Sequence, residues 1–325
     1  MSGPVRDIDQ QWPSDCLPPP TNVRSEDPAR RLSLRDRWET WLSDRWQVKC
    51  LLMPSARAGI ALTLRYLNIG RAHTLFAPAW SSHCVWDVLG RFGNPTCSNA
   101  ATADVVLAVH KYARPTTYTA KRDATLIEDP CDALLSRGGS LFPNDGRFSV
   151  VSLPKIAGMW CGGVLAARDT QDADALGRLR DSILFDSVAE VQGRKRYLAA
   201  LGQLEVCSEW STFEFKNVHP DLTCLEYVDE HLAAALARNA ATIEARLQRL
   251  AAVPSVSQFA QDSLATNWLP PVLAVPVGAI ESRGLMQRHV SLSGNGDAPT
   301  YEACNLIPLH YAVSEAQFDV ICQSL

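Results

Sequence analysis

The sequence has no long apolar run and no excess of positive charge. No window approaches the roughly 18 uninterrupted apolar residues of a membrane-spanning helix, and the first residues mix charges with prolines instead of forming the apolar core of a secretory signal. The net charge is −4, with acidic and basic residues mixed along the chain, so no basic face is available for a phosphate backbone. We therefore expect a cytoplasmic protein that binds neither membrane nor nucleic acid.

The sequence also lacks closely spaced cysteines. Its 10 cysteines are scattered without a C-x-x-C pair, so we expect reduced thiols, most of them buried, and no metal site. No internal repeat or low-complexity block is present. The chain of 325 residues is 46% hydrophobic, which is enough for one large core or two modest ones.

The pattern of apolar residues divides the chain into three parts. Residues 1–30 are rich in proline and charge and predict an extended arm. A helical pattern at 31–46 opens a large α/β domain, which we place at 31–205. A long amphipathic helix is predicted at 222–250 and begins a smaller C-terminal α/β domain, placed at 206–325.

Short apolar segments alternate with helical or turn-like stretches in the large domain. Such segments are typical of the buried strands of a mostly parallel sheet. They cover residues 74–79, 105–110, 125–128, 148–153 and 163–166. The fold class predicted is therefore α/β.

Two of these segments end in charged side chains. Asp129 follows one predicted strand, and Lys155 follows the next. Because open α/β sheets bind ligands beyond the carboxyl ends of their strands, we expect both residues in one crevice, with room for a flat heteroaromatic ring between them. Taken singly, each residue is more typical of a cap, a turn or a surface charge.

This pair suits pyridoxal 5′-phosphate (PLP). PLP needs a lysine for its Schiff base and a carboxylate that keeps its pyridine nitrogen protonated, roles that Lys155 and Asp129 could take. Lys155 would then be catalytic, moving the proton at the substrate carbon.

The phosphate of such a cofactor also has candidate partners. A helix that opens at Ser55 would offer the backbone N–H groups of Ala56 and Ala58. Arg57 adds a positive charge, and Ser152 adds a hydroxyl.

Six segments resemble, in the same order, the DegT/DnrJ-type aminotransferases, a family best known for aminating nucleotide-linked keto sugars. They are PSARAGIALTLRYLNIG (54–70), FAPAWSSHCVWDVLGRFGNPT (76–96), VVLAVHKYARP (105–115), LIEDPCDAL (126–134), FSVVSLPKIAGMWCGGVLAA (148–167) and NLIPLHYAVSEAQFDVICQSL (305–325). The resemblance runs from about Leu51 to the C-terminus. It implies a fold type I PLP-transferase, with an α/β/α sandwich and a smaller C-terminal domain.

The resemblance also implies roles for individual residues. Lys155 matches the Schiff-base lysine and Asp129 the aspartate at the pyridine nitrogen. The aromatic residue that stacks on the cofactor falls at Trp80 or His83, between which the sequence does not choose. Asn217 and His219 lie near the position from which a neighbouring subunit contacts the phosphate, although they also suit a turn and cap before the helix at Leu222. The resemblance implies an obligate homodimer with shared active sites.

Some positions depart from the family. Asp132 stands where Gln or His commonly contacts the cofactor hydroxyl, so we include it among the cofactor-binding residues. The segment 94–104 is short, which predicts that a crossover helix of the family is reduced or missing. The Ser152-to-Lys155 spacing is tight, as in a divergent branch. His110 has two interpretations, a satisfied strand-end histidine or a residue of the substrate pocket.

The implied activity is transamination, with glutamate as donor and a keto group of a sugar nucleotide or secondary metabolite as acceptor. Two alternatives remain. One is another PLP reaction, such as elimination, racemisation or decarboxylation, because all begin from the same cofactor adduct. The other is a PLP-fold protein without catalysis, although retained Lys155 and Asp129 favour an enzyme.

Overall fold

The computed structural model describes residues 27–135, 139–159, 161–183, 219–280, 285–293 and 300–325. Residues 1–26 of the predicted arm, Asn217 and the predicted domain boundary at 205/206 lie outside these ranges, so the domain division stays a prediction. Within the ranges, no helix combines the length and apolar character needed to cross a membrane.

Twelve strands and eight α-helices make up the described chain. The strands are β1 (Lys49–Met53), β2 (Thr74–Phe76), β3 (Asn94–Thr96), β4 (Val105–Val109), β5 (Thr125–Asp129), β6 (Leu134–Leu135), β7 (Phe148–Ser152), β8 (Gly163–Ala167), β9 (Trp268–Leu269), β10 (Val272–Pro276), β11 (Met286–Ser293) and β12 (Thr300–Pro308). The helices are α1 (Pro28–Trp46), α2 (Ala56–Tyr66), α3 (His83–Phe92), α4 (Leu153–Ala157), α5 (Thr170–Ser182), α6 (Leu222–Ala251), α7 (Ser257–Ala265) and α8 (Glu315–Ser324).

The main sheet has the strand order β1-β8-β7-β5-β4-β2-β3. The pairs from β7 to β3 are parallel, whereas β8 runs antiparallel to both β7 and β1. The five predicted strands are all present, and the sheet is mostly parallel as expected. Because β4, β5 and β7 run the same way, the chain leaves all three at one edge.

Helices cover both faces of this sheet, since successive strand residues point to opposite sides. On one face, Leu52 and Val151 pack with residues of α1 and α6. On the other, Leu51 and Val150 pack with residues of α2 and α5. The result is the α/β/α sandwich that the resemblance implied.

The two long predicted helices are present, with shifted ends. The helix expected from Arg31 begins at Pro28, because the side chain of Asp27 accepts hydrogen bonds from the first-turn N–H groups of Ala29 and Arg30. The helix expected at 222–250 is α6, capped in the same way by Asp221.

A second sheet, antiparallel with the order β10-β12-β11, lies in the C-terminal part of the chain. Its residues pack on the same core as α6, and β6 pairs with β9 in a separate two-stranded sheet. Between β3 and β4 the chain forms only a 3-10 turn at Ala100–Thr102, which confirms that no crossover helix fits there.

Candidate active site

Lys155 lies on a short helix directly after a strand of the main sheet. Strand β7 ends at Ser152, and Pro154 suits the first turn of α4, where its missing N–H is not needed. The Nζ atom of Lys155 donates a hydrogen bond to Oδ1 of Asp132 at 2.7 Å. The Lys155 side chain is 31% exposed and that of Asp132 only 7%, so the ion pair is partly buried.

The C-terminal part of the chain holds the lysine helix in place. The side-chain amide of Asn239, on α6, donates to the carbonyl of Ile156 at 2.6 Å. The hydroxyl of Tyr311 donates to the carbonyl of Ala157 at 3.1 Å. These bonds satisfy carbonyls at the end of α4 and fix the position of Lys155.

Asp129 ends β5 and lies beside this pair. Burial disfavours its charged form and raises the pKa of the Asp129 carboxyl, while the positive charge of Lys155 opposes that shift. Burial also opposes the charged amine of Lys155, but the negative charges of Asp132 and Asp129 outweigh it and raise the pKa of Lys155. The site therefore places Lys155 beside two acids.

The first turn of α2 forms another wall of the site. Ser55 caps this helix, and its Oγ accepts a hydrogen bond from the N–H of Ala58 at 3.2 Å. The N–H of Ala58 is thus already hydrogen-bonded to Ser55, and the residue is fully buried. The remaining first-turn residues, Ala56 and Arg57, line the cavity, where the helix dipole favours an anion.

Two glycines allow β8 to touch this helix start. Gly162 has φ = 103°, a conformation that other residues rarely adopt, and its N–H donates to the carbonyl of Pro54 at 3.0 Å. A Cβ atom on Gly163 would lie 2.3 Å from the backbone of Ser55 and Ala56. The Gly-Gly pair therefore sets the position of the α2 N-terminus.

The structure separates the two candidates for stacking. Trp80 lines the cavity, whereas His83, the first residue of α3, is exposed and does not line it. The indole Nε1 of Trp80 and the Oγ of Ser81 are buried and have no hydrogen-bond partner among the described residues. Because unpaired buried donors are costly, these atoms indicate a place for a ligand.

His110 is held in the core beneath the site. Its Nδ1 accepts from the N–H of Thr116 at 3.0 Å, so Nε2 carries the proton and donates to Glu128 at 2.7 Å. Glu128 also accepts from the N–H groups of Asn144 and Gly146. Both ring nitrogens of His110 are therefore hydrogen-bonded within the protein, as expected for a strand-end histidine with a structural role.

These groups surround one cavity of about 410 Å³. The predicted cofactor residues that line it are Ala56, Arg57, Trp80, Asp129, Asp132, Ser152 and Lys155. No group of three or more His, Cys, Asp or Glu side chains in the described ranges could hold a metal ion. The cavity thus combines an amine, two acids and an anion-binding helix end.

Sequence reasoning missed some residues of this cavity. Lys111, Ser81 and Cys131 line it but were not among the candidates. Lys111 follows strand β4 by two residues, so the strand-end rule that selected Asp129 would also have found it. No comparable sequence pattern marks Ser81 or Cys131 as a residue of the cavity.

Residues 43–325 match the model of a protein family described as "Putative PLP-dependent aminotransferase". A comparison with curated protein sequences gave no match. A DegT DnrJ EryC1 StrS aminotransferase from Brucella abortus has a similar structure, with 13% identity and a TM-score of 0.57 over 90% of this chain and 89% of that one. NtdA from Bacillus subtilis, solved with bound cofactor PMP, has 12% identity and a TM-score of 0.57 over 90% of this chain and 76% of that one. The ureidoglycine-glyoxylate aminotransferase of Bacillus subtilis has 15% identity and a TM-score of 0.52 over 100% of this chain and 92% of that one.

At such low identities the solved structures show the fold alone, and they confirm the predicted fold type I architecture. The family model covers most of the chain, including every strand of both larger sheets and the whole cavity. The chain therefore belongs to this family of PLP-dependent aminotransferases.

Proposed function

We propose that the cavity between α2, β5 and α4 is the PLP site and that Lys155 carries the cofactor. The observation that carries the proposal is that Lys155 and Asp129 line one cavity together with the N-terminus of α2. An amine, a buried acid and an anion site are the three groups that the aldehyde, the pyridine nitrogen and the phosphate of PLP require.

The residues present fit this cofactor. The volume of about 410 Å³ is in the range of small-molecule sites. The phosphate would lie at Ala56 and Arg57, with Ser152 as a further donor. Trp80 would cover the ring, and the unpaired Oγ of Ser81 is another available donor. We do not assign Ala58 to the phosphate, since its N–H already binds Ser55.

Each residue then has a defined task. When bound, PLP supplies an electron sink for bonds at the substrate carbon next to the amine. The carboxylate of Asp129 keeps the proton on the pyridine nitrogen. The Nζ of Lys155 takes and returns the proton at the substrate carbon, and Asp132 binds this ammonium group whenever it is charged.

The proposed reaction is amino transfer from glutamate to a keto group of a sugar nucleotide or secondary-metabolite intermediate. Its support is the resemblance to the DegT/DnrJ-type enzymes, together with the similar structure of the Brucella abortus member.

A half-reaction tests the proposal. We expect L-glutamate, added to cofactor-loaded protein, to abolish the visible absorbance of the lysine-bound cofactor, and 2-oxoglutarate to restore it. Release of 2-oxoglutarate in the first step is measured by mass spectrometry. Formation of ammonia, carbon dioxide or D-glutamate would favour the alternative PLP reactions, and no change with any amino acid would exclude transamination.

Gly163→Ala is expected to weaken PLP binding by about tenfold, because the added methyl group forces the α2 N-terminus away from the phosphate position. Cofactor titration followed by absorbance measures the change. Gly177→Ala is the matched control, since its nearest atom would lie 3.8 Å away in ordinary contact. Equal PLP affinity of Gly163→Ala and the unaltered protein would place the phosphate elsewhere.

We also propose a homodimer in which Asn217 of the neighbouring subunit reaches the cofactor phosphate. The support is the family resemblance of the segment around Asn217, which lies outside the described residues. Light scattering is expected to report twice the chain mass of 35.7 kDa. A monomeric mass for active protein would contradict the shared site.

A further inference from the structure

A second lysine lines the same cavity as Lys155. Lys111 follows β4, at the edge of the sheet where Asp129 and Lys155 also lie. Its Nζ lies 5.8 Å from the ring centroid of Trp80 and 5.5 Å from that of Tyr112. In the described part of the chain, no carboxylate or hydrogen-bond acceptor contacts this ammonium group, so its only direct partners there are the two aromatic faces.

This position is costly for a positive charge. Burial lowers the pKa of Lys111, and the positive charges of Lys155 and Arg288 act in the same direction. The negative charge of Asp132 opposes them, but Asp132 is already hydrogen-bonded to Lys155 at 2.7 Å. A half-buried ammonium without its own counter-ion is unusual unless a ligand supplies one.

The backbone holds Lys111 in this position from both sides. His110, which precedes it, is fixed by Glu128. Tyr112 and Ala113, which follow it, have φ = 54° and 55°, left-handed conformations that cost free energy in residues other than glycine. Tyr112 is kept there by packing against the second sheet. The fold thus maintains backbone strain beside a cavity-lining charge.

Arg288 supplies a second positive charge near this position. It pairs across strands with Cys304, whose side chain packs in the same cluster as Tyr112. Directly opposed residues of antiparallel strands project to the same face, so Arg288 leaves the sheet on the side of Tyr112. Burial raises the pKa of the Tyr112 hydroxyl, and the positive charges of Arg288 and Lys155 oppose that shift.

We propose that Lys111, assisted by Arg288, binds the anionic oxygens of the substrate while the substrate amine is at Lys155. This subsite rests on the proposed function, because it needs Lys155 as the reacting amine. Two groups have the required chemistry, the carboxylate of an amino-acid donor and a phosphate of the acceptor. Either would neutralise Lys111 and explain an ammonium group kept without a protein counter-ion.

Calorimetry on the cofactor-loaded protein tests the subsite with two unreactive probes, glutarate for a carboxylate and inorganic diphosphate for a phosphate. We expect Lys111→Gln to weaken the binding of one probe by about tenfold or more, as for the loss of a charge-assisted hydrogen bond. Lys111→Arg, which keeps the charge, should retain most of the affinity. The probe whose binding is weakened shows whether Lys111 binds the carboxylate or the phosphate.

Other outcomes would overturn the subsite. It is rejected if neither probe binds, if Lys111→Gln binds both as tightly as the unaltered protein, or if Lys111→Arg loses as much affinity as Lys111→Gln. If Lys111→Gln does not fold, Arg288→Gln takes its place, with an expected loss of about threefold for an exposed charge. Probe binding that depends on Lys111, without any glutamate half-reaction, would refute the proposed function and leave only an anion site at Lys111, without its role toward the substrate.

Discussion

Lys155→Ala is expected to lose the covalent cofactor and to reduce turnover by about 10⁴-fold or more. The variant removes both the amine that attaches PLP and the group that moves the substrate proton, and acid-base catalysis alone contributes about 10²- to 10⁴-fold. Absorbance of the purified protein and the rate of the glutamate half-reaction measure the two losses. The loss has a local cause, because the Lys155 side chain faces the cavity and its helix is held by other residues.

A matched variant separates this effect from general damage. Lys49 is exposed on the edge strand β1, outside the cavity, so Lys49→Ala should bind cofactor and turn over normally. Removing the Lys155 side chain leaves Asp132 without its nearest cation, and some loss of thermal stability is expected. A folded Lys155→Ala protein that keeps its cofactor absorbance and half-reaction would contradict the assignment.

Asp129→Asn is expected to reduce the half-reaction rate by about 10²- to 10³-fold, the range for the loss of one preorganised electrostatic partner. The substitution keeps the shape of the side chain and removes its charge. Without that charge the pyridine nitrogen loses the group that favours its protonated form, and the ring becomes a weaker electron sink. Rapid-mixing absorbance with L-glutamate measures the rate.

Two further variants make this result specific. Asp123→Asn, at an exposed position before β5, should change nothing. Asp132→Asn should weaken the hold on the Lys155 ammonium group, which alters the pH dependence of the rate more than its maximum. If Asp132→Asn caused the larger fall in rate and Asp129→Asn the smaller, the roles of the two acids would be exchanged.

The positions of Lys155 and Asp129 follow from local sequence. Apolar runs determine strands β5 and β7. Because neighbouring parallel strands end at the same edge of the sheet, the residues that follow the two strands lie close together there. The small residues after Ser55 likewise predict the helix start. These features depend on short-range patterns, so the sequence alone predicts them.

Other features depend on residues far apart in the chain. Asn239 and Tyr311 hold the lysine helix from more than 80 positions away, and no local pattern marks them. The hydrogen bond from the Ala58 N–H to Ser55 depends on the geometry of the helix cap. Asp132 stands at the family position that commonly contacts the cofactor hydroxyl, and the sequence does not define its role; the fold places its carboxylate on the amine of Lys155.

The identity of the cofactor lysine can be measured directly. Borohydride reduction of the cofactor-loaded protein makes the lysine linkage permanent, and peptide mass spectrometry then locates the modified residue. We expect the pyridoxyl phosphate group on Lys155, with Lys111 unmodified. Modification of Lys111 or of any other lysine instead of Lys155, or no modified lysine in protein that contains PLP, would contradict Lys155 as the residue that carries the cofactor.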